Sequence, residues 1–174
     1  LLGYTPTLHG PATIQIVNRQ LCEFLHPLSV GAPNKYLPDW VWKLSTKQVQ
    51  WLYNGLRRGD GTVTNKGCDV YYTSSIKLAN DVQRLALHAE WSGNIKLQYK
   101  AGRKTVINGR EVISKYDAYA VKIVKSKNNP TVNHGHCKTQ NGQKESFVKY
   151  TGSVYCIEVP SHVFYVRKNG KPVW

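Results

Sequence analysis

The sequence has no methionine, three phenylalanines and only ten acidic residues, set against 24 lysines and arginines in 174 positions. Its four cysteines (Cys22, Cys68, Cys137 and Cys156) are scattered, with no Cys-x-x-Cys spacing. A disulfide framework is therefore not expected; free thiols in a reducing, intracellular compartment are. No apolar run approaches the ~20 residues of a membrane span and no signal-peptide core is visible, so no membrane segment is expected. There is no low-complexity tract and no clean internal repeat. With Leu1 at one end and Trp174 closing an alternating segment at the other, the string reads as a fragment.

What is present is a folding composition and an unbalanced charge. At 41% hydrophobic and 20% charged residues the chain reads as globular, one sizeable domain or a domain with an appendage. The net charge of +14 implies a polyanionic partner, of which nucleic acid is the commonest. The plainer alternative is a merely basic soluble protein. An anionic membrane fits less well, because no Lys/Arg-rich amphipathic helix is present.

The pattern alternates between helix and strand periods. Ala12–Val17 is β-branched and alternating, and Asn18 can cap a helix from Arg19 towards Leu28, shortened by Pro27. Residues 31–38 form a connecting loop. Ser45 or Thr46 caps the clearest helix, to about Arg58, with Val49, Leu52, Gly55, Leu56 and Gly59 expected on one face. Short strands near 62–64 and at Asp69–Thr73 follow, then a helix from Ser74 or Ser75 to about Glu90 that buries Leu78, Val82, Leu85, Ala86 and Ala89. Beyond Gly93 the period is two. Ile95, Leu97 and Tyr99 are expected on one side of a strand, with Lys96, Gln98 and Lys100 on the other. Asn108-Gly109 signals a type I′ hairpin joining Lys104–Ile107 to Arg110–Ile113, and Tyr116–Lys125 is a further strand. Residues 127–149 read as a polar linker, and Val154–Val166 as β again, interrupted by Pro160. The order predicts an α+β fold, an antiparallel sheet with helices on one face.

The segment Tyr53-Asn-Gly-Leu-Arg-Arg-Gly-Asp-Gly61 carries the chemistry. Gly55 inside a helix costs about 1 kcal/mol relative to alanine, which makes sense if another backbone must come close. Asp60 stands at the negative end of its own helix and gains nothing there electrostatically; a carboxylate beside carbonyl oxygens suits a hard divalent cation. The alternative is a helix stop and tight turn, since Gly and Asp are ordinary turn formers.

These residues resemble the LAGLIDADG family of homing endonucleases. Gly55-Leu56 matches the motif's Gly-Leu and Asp60-Gly61 its final Asp-Gly; Arg58 stands at an acidic position and Tyr53 at a leucine. The succession of elements after the motif, and Tyr72-Thr-Ser-Ser75 leading into the second helix, extend the likeness. The resemblance implies αββαββ repeats forming a saddle-shaped antiparallel sheet that lies in the DNA major groove. It also implies motif helices packed through glycines such as Gly55 and Gly59, and Mg²⁺ held by Asp60 and a second aspartate. The activity implied is site-specific hydrolysis of double-stranded DNA. The second aspartate would come from a first repeat whose start is Leu1-Leu-Gly-Tyr4 and whose tail includes Ala12–Val17 and Lys35–Trp40, giving a pseudo-symmetric monomer. Otherwise a homodimer supplies Asp60 twice.

Between Asn94 and Lys125 eight basic residues stand against two acids, Glu111 and Asp117. Lys96, Gln98, Lys100, Arg103, Lys104, Arg110 and Lys122 are the candidate DNA contacts, and Lys100 a candidate to polarise the attacking water. A solvated strand face is the plainer alternative. The stretch Val154–Val166 with Asn169–Trp174 resembles the C-terminal block of the Hint splicing domain of inteins. Cys156 matches its Asp/Cys position, and His162 lies near a variable histidine; the closing asparagine and the N-terminal nucleophile block are missing. A plain hairpin with an incidental buried cysteine is the alternative. His134-Gly-His136-Cys137 lacks a second ligand pair and is read as linker. The expected layout is 1–40 as the end of a first repeat, 41–126 as a repeat with complete motif, 127–150 as linker and 151–174 as the C-terminal Hint segment. The rival functions are a non-cleaving DNA-binding protein of the same fold, and a splicing element with a degenerate endonuclease.

Overall fold

The computed structural model describes residues 6–9, 13–126, 147–162, 164–168 and 170–173. The motif His134–Cys137 and most of the linker lie outside them. Strand β1 (Thr7–His9) pairs antiparallel with β2 (Thr13–Gln15), so the expected first strand forms as one arm of a small hairpin. Helix α1 (Arg19–Leu25) starts where Asn18 Oδ1 accepts from the Leu21 amide at 2.7 Å. It passes into a 3-10 turn over His26–Leu28, consistent with Pro27 being unable to extend an α-helix. Leu21 on it is half-buried, and Phe24 and Leu25 are exposed.

Helix α2 (Thr46–Asp60) opens with a capping box between Ser45 and Gln48. Strands β3 (Gly61–Val63) and β4 (Asp69–Thr73) follow, then helix α3 (Ile76–His88), capped by Ser75 as its Oγ accepts from the Leu78 amide. Next come β5 (Ser92–Tyr99), β6 (Lys104–Ile107), β7 (Arg110–Ile113) and β8 (Ala118–Val124). The fold is α+β: β3, β4, β8 and β5 form a four-stranded antiparallel sheet in that order. Val49 and Tyr53 of α2 and Leu78, Val82, Leu85 and Ala86 of α3 pack on Tyr71, Val121 and Ile123 of the sheet. Leu37 and Val41, from the segment before α2, enter the same core.

Three expectations change here. Gly55 and Gly59 do not share the buried face of α2; they lie on its exposed side, where an added Cβ at either meets nothing within 4 Å. At 100° per residue the core side of α2 runs through Val49 and Tyr53, and Leu52 and Leu56 are only half-buried at its margin. The Asn108-Gly109 hairpin forms in the expected register, both residues at positive φ, but β6 and β7 make a separate two-stranded ribbon exposed along its length. In the C-terminal segment no strand occurs over 154–162. Strands β9 (Val166–Lys168) and β10 (Lys171–Val173) form a hairpin instead, turning at Gly170. Gly170 O accepts from the Ile95 amide at 3.0 Å and from Gln83 Nε2 at 2.7 Å, which seats this hairpin on the β5 edge and α3.

Candidate functional site

Asp60 ends α2 at the mouth of a cleft of about 260 Å³ lined also by Ala32, Lys35, Tyr72, Thr73, Ser74, Tyr99 and Ala118. Lys35 Nζ stands 3.7 Å from Asp60 Oδ2, with both side chains about half exposed. Lys35 is held there by its backbone. The Ser75 hydroxyl, fully buried, donates to Lys35 O at 2.6 Å, and the Leu37 amide donates to Asp81 Oδ2 at 2.9 Å. The phenol of Tyr71, on the helix side of the sheet, has its pKa pushed up to about 12 by burial and then by the negative charge of Asp60. Asp60 is thus placed at the end of the sheet, accessible from solvent.

Sheet register decides which cations share its side. Tyr72 pairs with Ala120, Val70 with Lys122, Asn94 with Lys122, Lys96 with Ala120 and Tyr99 with Ala118. Paired residues project to the same side, so Tyr72, Asn94, Lys96, Tyr99 and Lys122 share the face opposite the helices. A β-bulge between Leu97 and Tyr99 breaks the alternation. This corrects the expected grouping: Tyr99 leaves the side of Ile95 and Leu97 and joins that of Lys96, Gln98 falls at the bulge, and Lys100 lies past the strand end and does not line the cleft. The bulge brings Tyr99 to the aspartate, not Lys100.

The remaining cations divide. Arg103 stacks over Tyr99 at 5.0 Å, beside the cleft. Lys104 pairs with Glu111 at 3.2 Å on the β6–β7 ribbon, and Arg110 is exposed at its tip. Lys125 turns inward: its Nζ is 2.7 Å from Asp69 Oδ2 and lies over the rings of Trp91 and Tyr53. It pairs at the margin of the core while its side chain stays partly open to solvent. Sequence reasoning missed Lys35, Tyr72 and Tyr99 as cleft residues. Their proximity to Asp60 follows from a loop anchor and a bulge, and neither leaves a periodic signal.

Cys156 is a free, exposed thiol, and His162 is exposed in a turn at positive φ where its amide donates to Val159 O. Neither lies on a strand, in contrast to the expected β block. Among the described residues no group of three His, Cys, Asp or Glu converges as a metal cluster. No helix among them is long and apolar enough to cross a membrane.

No family model matches the chain. Over 201 aligned positions it is 37% identical to a DNA-directed RNA polymerase subunit beta C-terminal section from Stigeoclonium helveticum, an alignment covering 100% of this chain and 18% of that protein. Over 249 positions it is 26% identical to an ATP-dependent Clp protease proteolytic subunit from Chlamydomonas moewusii, covering 91% of this chain and 25% of that one. The chain therefore spans a quarter or less of the length of the curated relatives it matches. Both alignments are longer than the chain's 174 residues, so each relative carries additional residues within the aligned region.

Proposed function

We propose that the chain is the DNA-cleaving part of a LAGLIDADG-type homing endonuclease, hydrolysing phosphodiesters of double-stranded DNA with Mg²⁺, joined to the C-terminal segment of an intein splicing domain. The observation that carries this reading is the exit of α2. A helix with an open glycine edge ends in an accessible carboxylate, beside a sheet face that presents Lys96, Lys122 and Asn94 away from the core. Strands that carry lysines and an asparagine on one face suit a groove, and the lysines suit its phosphates. The similarity of one segment to parts of two relatives with unlike named activities supports an element inserted into different hosts.

The donor set fits one half of a hard-cation site: Asp60 is an exposed carboxylate, and a second aspartate must come from another motif or another copy. The open Gly55–Gly59 edge leaves room for such a helix to approach closely. Bound there, Mg²⁺ would supply an activated water and stabilise the leaving oxygen. The chain's own residues do the positioning. Lys35, fixed by Ser75, stands against the Asp60 carboxylate and is within reach of a phosphate laid across the cleft. Tyr72 and Tyr99 line the cleft beside it.

The 3.7 Å Lys35–Asp60 pair also favours a second reading, a DNA-binding protein of this fold in which Asp60 is neutralised and does not cut. Cleavage of a randomised duplex library in Mg²⁺, with sequencing of cut ends, separates the two. The expected outcome is cutting at a defined site by the native chain and none by Asp60→Asn, whose DNA affinity stays within about twofold. Binding without any cut ends would leave the second reading standing, and wild-type cutting by Asp60→Asn would remove Asp60 from the chemistry.

A further inference from the structure

Behind the cleft lies a charged cluster that the proposed chemistry does not use. Asp69, at the start of β4, is buried, yet its Oδ2 meets Lys125 Nζ at 2.7 Å and Arg57 Nε at 3.7 Å. A buried carboxylate is tolerated only with such partners. The nearby Tyr53 hydroxyl is held in its protonated form by burial first and by the Asp69 charge second. The three charged residues come from three parts of the fold: Arg57 from the last turn of α2, Asp69 from β4 and Lys125 from the end of β8.

Arg57 is also where the helix hands over to the sheet. The Gly61 amide donates to Arg57 O, and Gly61 packs so tightly on the Arg57 backbone that a Cβ would fall 2.7 Å from that oxygen. Asp60 lies between Arg57 and Gly61, immediately before the start of β3. Its carboxylate faces Lys35 across the cleft and does not anchor the turn it sits on. The direction of Asp60 depends on how the last turn is held, and the 3.7 Å Arg57–Asp69 ion pair, which carries no hydrogen bond, is a charged contact between that turn and β4.

We propose that Asp69 is a positioning residue: through Arg57 it fixes the last turn of α2 and so the direction of Asp60. Lys125 supplies the closer countercharge to Asp69, and its Nζ lies over the rings of Trp91 and Tyr53. This role rests on the nuclease reading for its catalytic consequence, but its structural half does not.

The test uses Asp69→Asn, isosteric and uncharged, and Arg57→Gln, whose partly exposed side chain makes it the gentler change. Amide hydrogen exchange is read over residues 57–61 and over α3. Both variants should speed exchange in the last turn of α2 at least tenfold and leave α3 unchanged. In cleavage assays both should lower kcat tenfold or more with KM within twofold, and Asp69→Glu should recover part of kcat. Unchanged exchange at 57–61 in Arg57→Gln overturns the anchor, whatever the activity. Faster exchange with unchanged kcat overturns the positioning role. A native chain that cuts no DNA defeats the nuclease reading and the catalytic half of this role, while exchange still decides the anchor.

Discussion

At the scale of single residues, the junction Asp60-Gly61 explains why a glycine is needed with no unusual backbone angle. Gly61 has an extended φ of −122°, so conformational freedom is not the reason. The reason is space: a Cβ would lie 2.7 Å from Arg57 O and 2.9 Å from Arg57 Cα, both backbone atoms that cannot step aside. Gly61→Ala should therefore lower stability by about 1–3 kcal/mol, as overpacking does, measurable by urea denaturation. A loss within about 0.5 kcal/mol, that of an ordinary surface change, would mean the junction yields easily. Lys35 is the counterexample for sequence reading. It was visible as part of a linking segment, but only the Ser75 hydroxyl and the Asp81 carboxylate bring that segment to Asp60.

At the scale of elements, helix periodicity located α2 and α3, and the burial of Leu78, Val82, Leu85, Ala86 and Ala89 came out as the spacing required. It did not assign Gly55 and Gly59 to the correct side, because glycine has no side chain to report one. Since no described residue fills that side, Gly55→Ala should stabilise the isolated chain by up to about 1 kcal/mol through helix propensity alone. Gly55→Leu should leave its melting temperature no lower, yet, on the proposed nuclease reading, prevent pairing with a second motif helix. Calorimetry and sedimentation of the same samples read the two effects; a lowered melting temperature in the lone chain would contradict the open side. The sheet makes a parallel case. Lys96 and Lys122 share the outer face, so replacing both with alanine should flatten the log–log salt dependence of DNA binding by about two units, roughly 0.9 for each phosphate no longer neutralised. Lys77, paired with Asp81 on α3, is the control. An equal change from Lys77→Ala would move the DNA off the sheet.

At the scale of the whole molecule, the core and the charged site are coupled through buried phenols. Tyr71 has its pKa at about 12 in the folded chain against 10.0 for the free side chain, so the folded state keeps a proton that the unfolded state loses. The associated stability is full below pH 10 and is lost as pH rises through 12; Tyr53 shifts in the same direction. The melting temperature should accordingly fall across that alkaline window, and Tyr71→Phe should make the fall shallower. An equally steep fall in Tyr71→Phe would assign the alkaline sensitivity to other groups.

The sequence alone determined the α+β class, the element order from α2 to β8, the helix starts to within one residue of the caps Ser45 and Ser75, and the Asn108-Gly109 turn. These depend on short-range physics: side-chain period, capping hydrogen bonds and permitted backbone angles. Tertiary structure decided what joins distant segments. The bulge near Gln98 moved Tyr99 to the cleft, the Ser75 anchor brought in Lys35, and the buried Asp69 took Lys125 as its ion-pair partner. It also placed the C-terminal hairpin at 166–173, where Gly170 O satisfies the open Ile95 amide of an edge strand. A free edge amide and a buried carboxylate take their partners from wherever the chain passes, and a local pattern in the sequence does not record that choice.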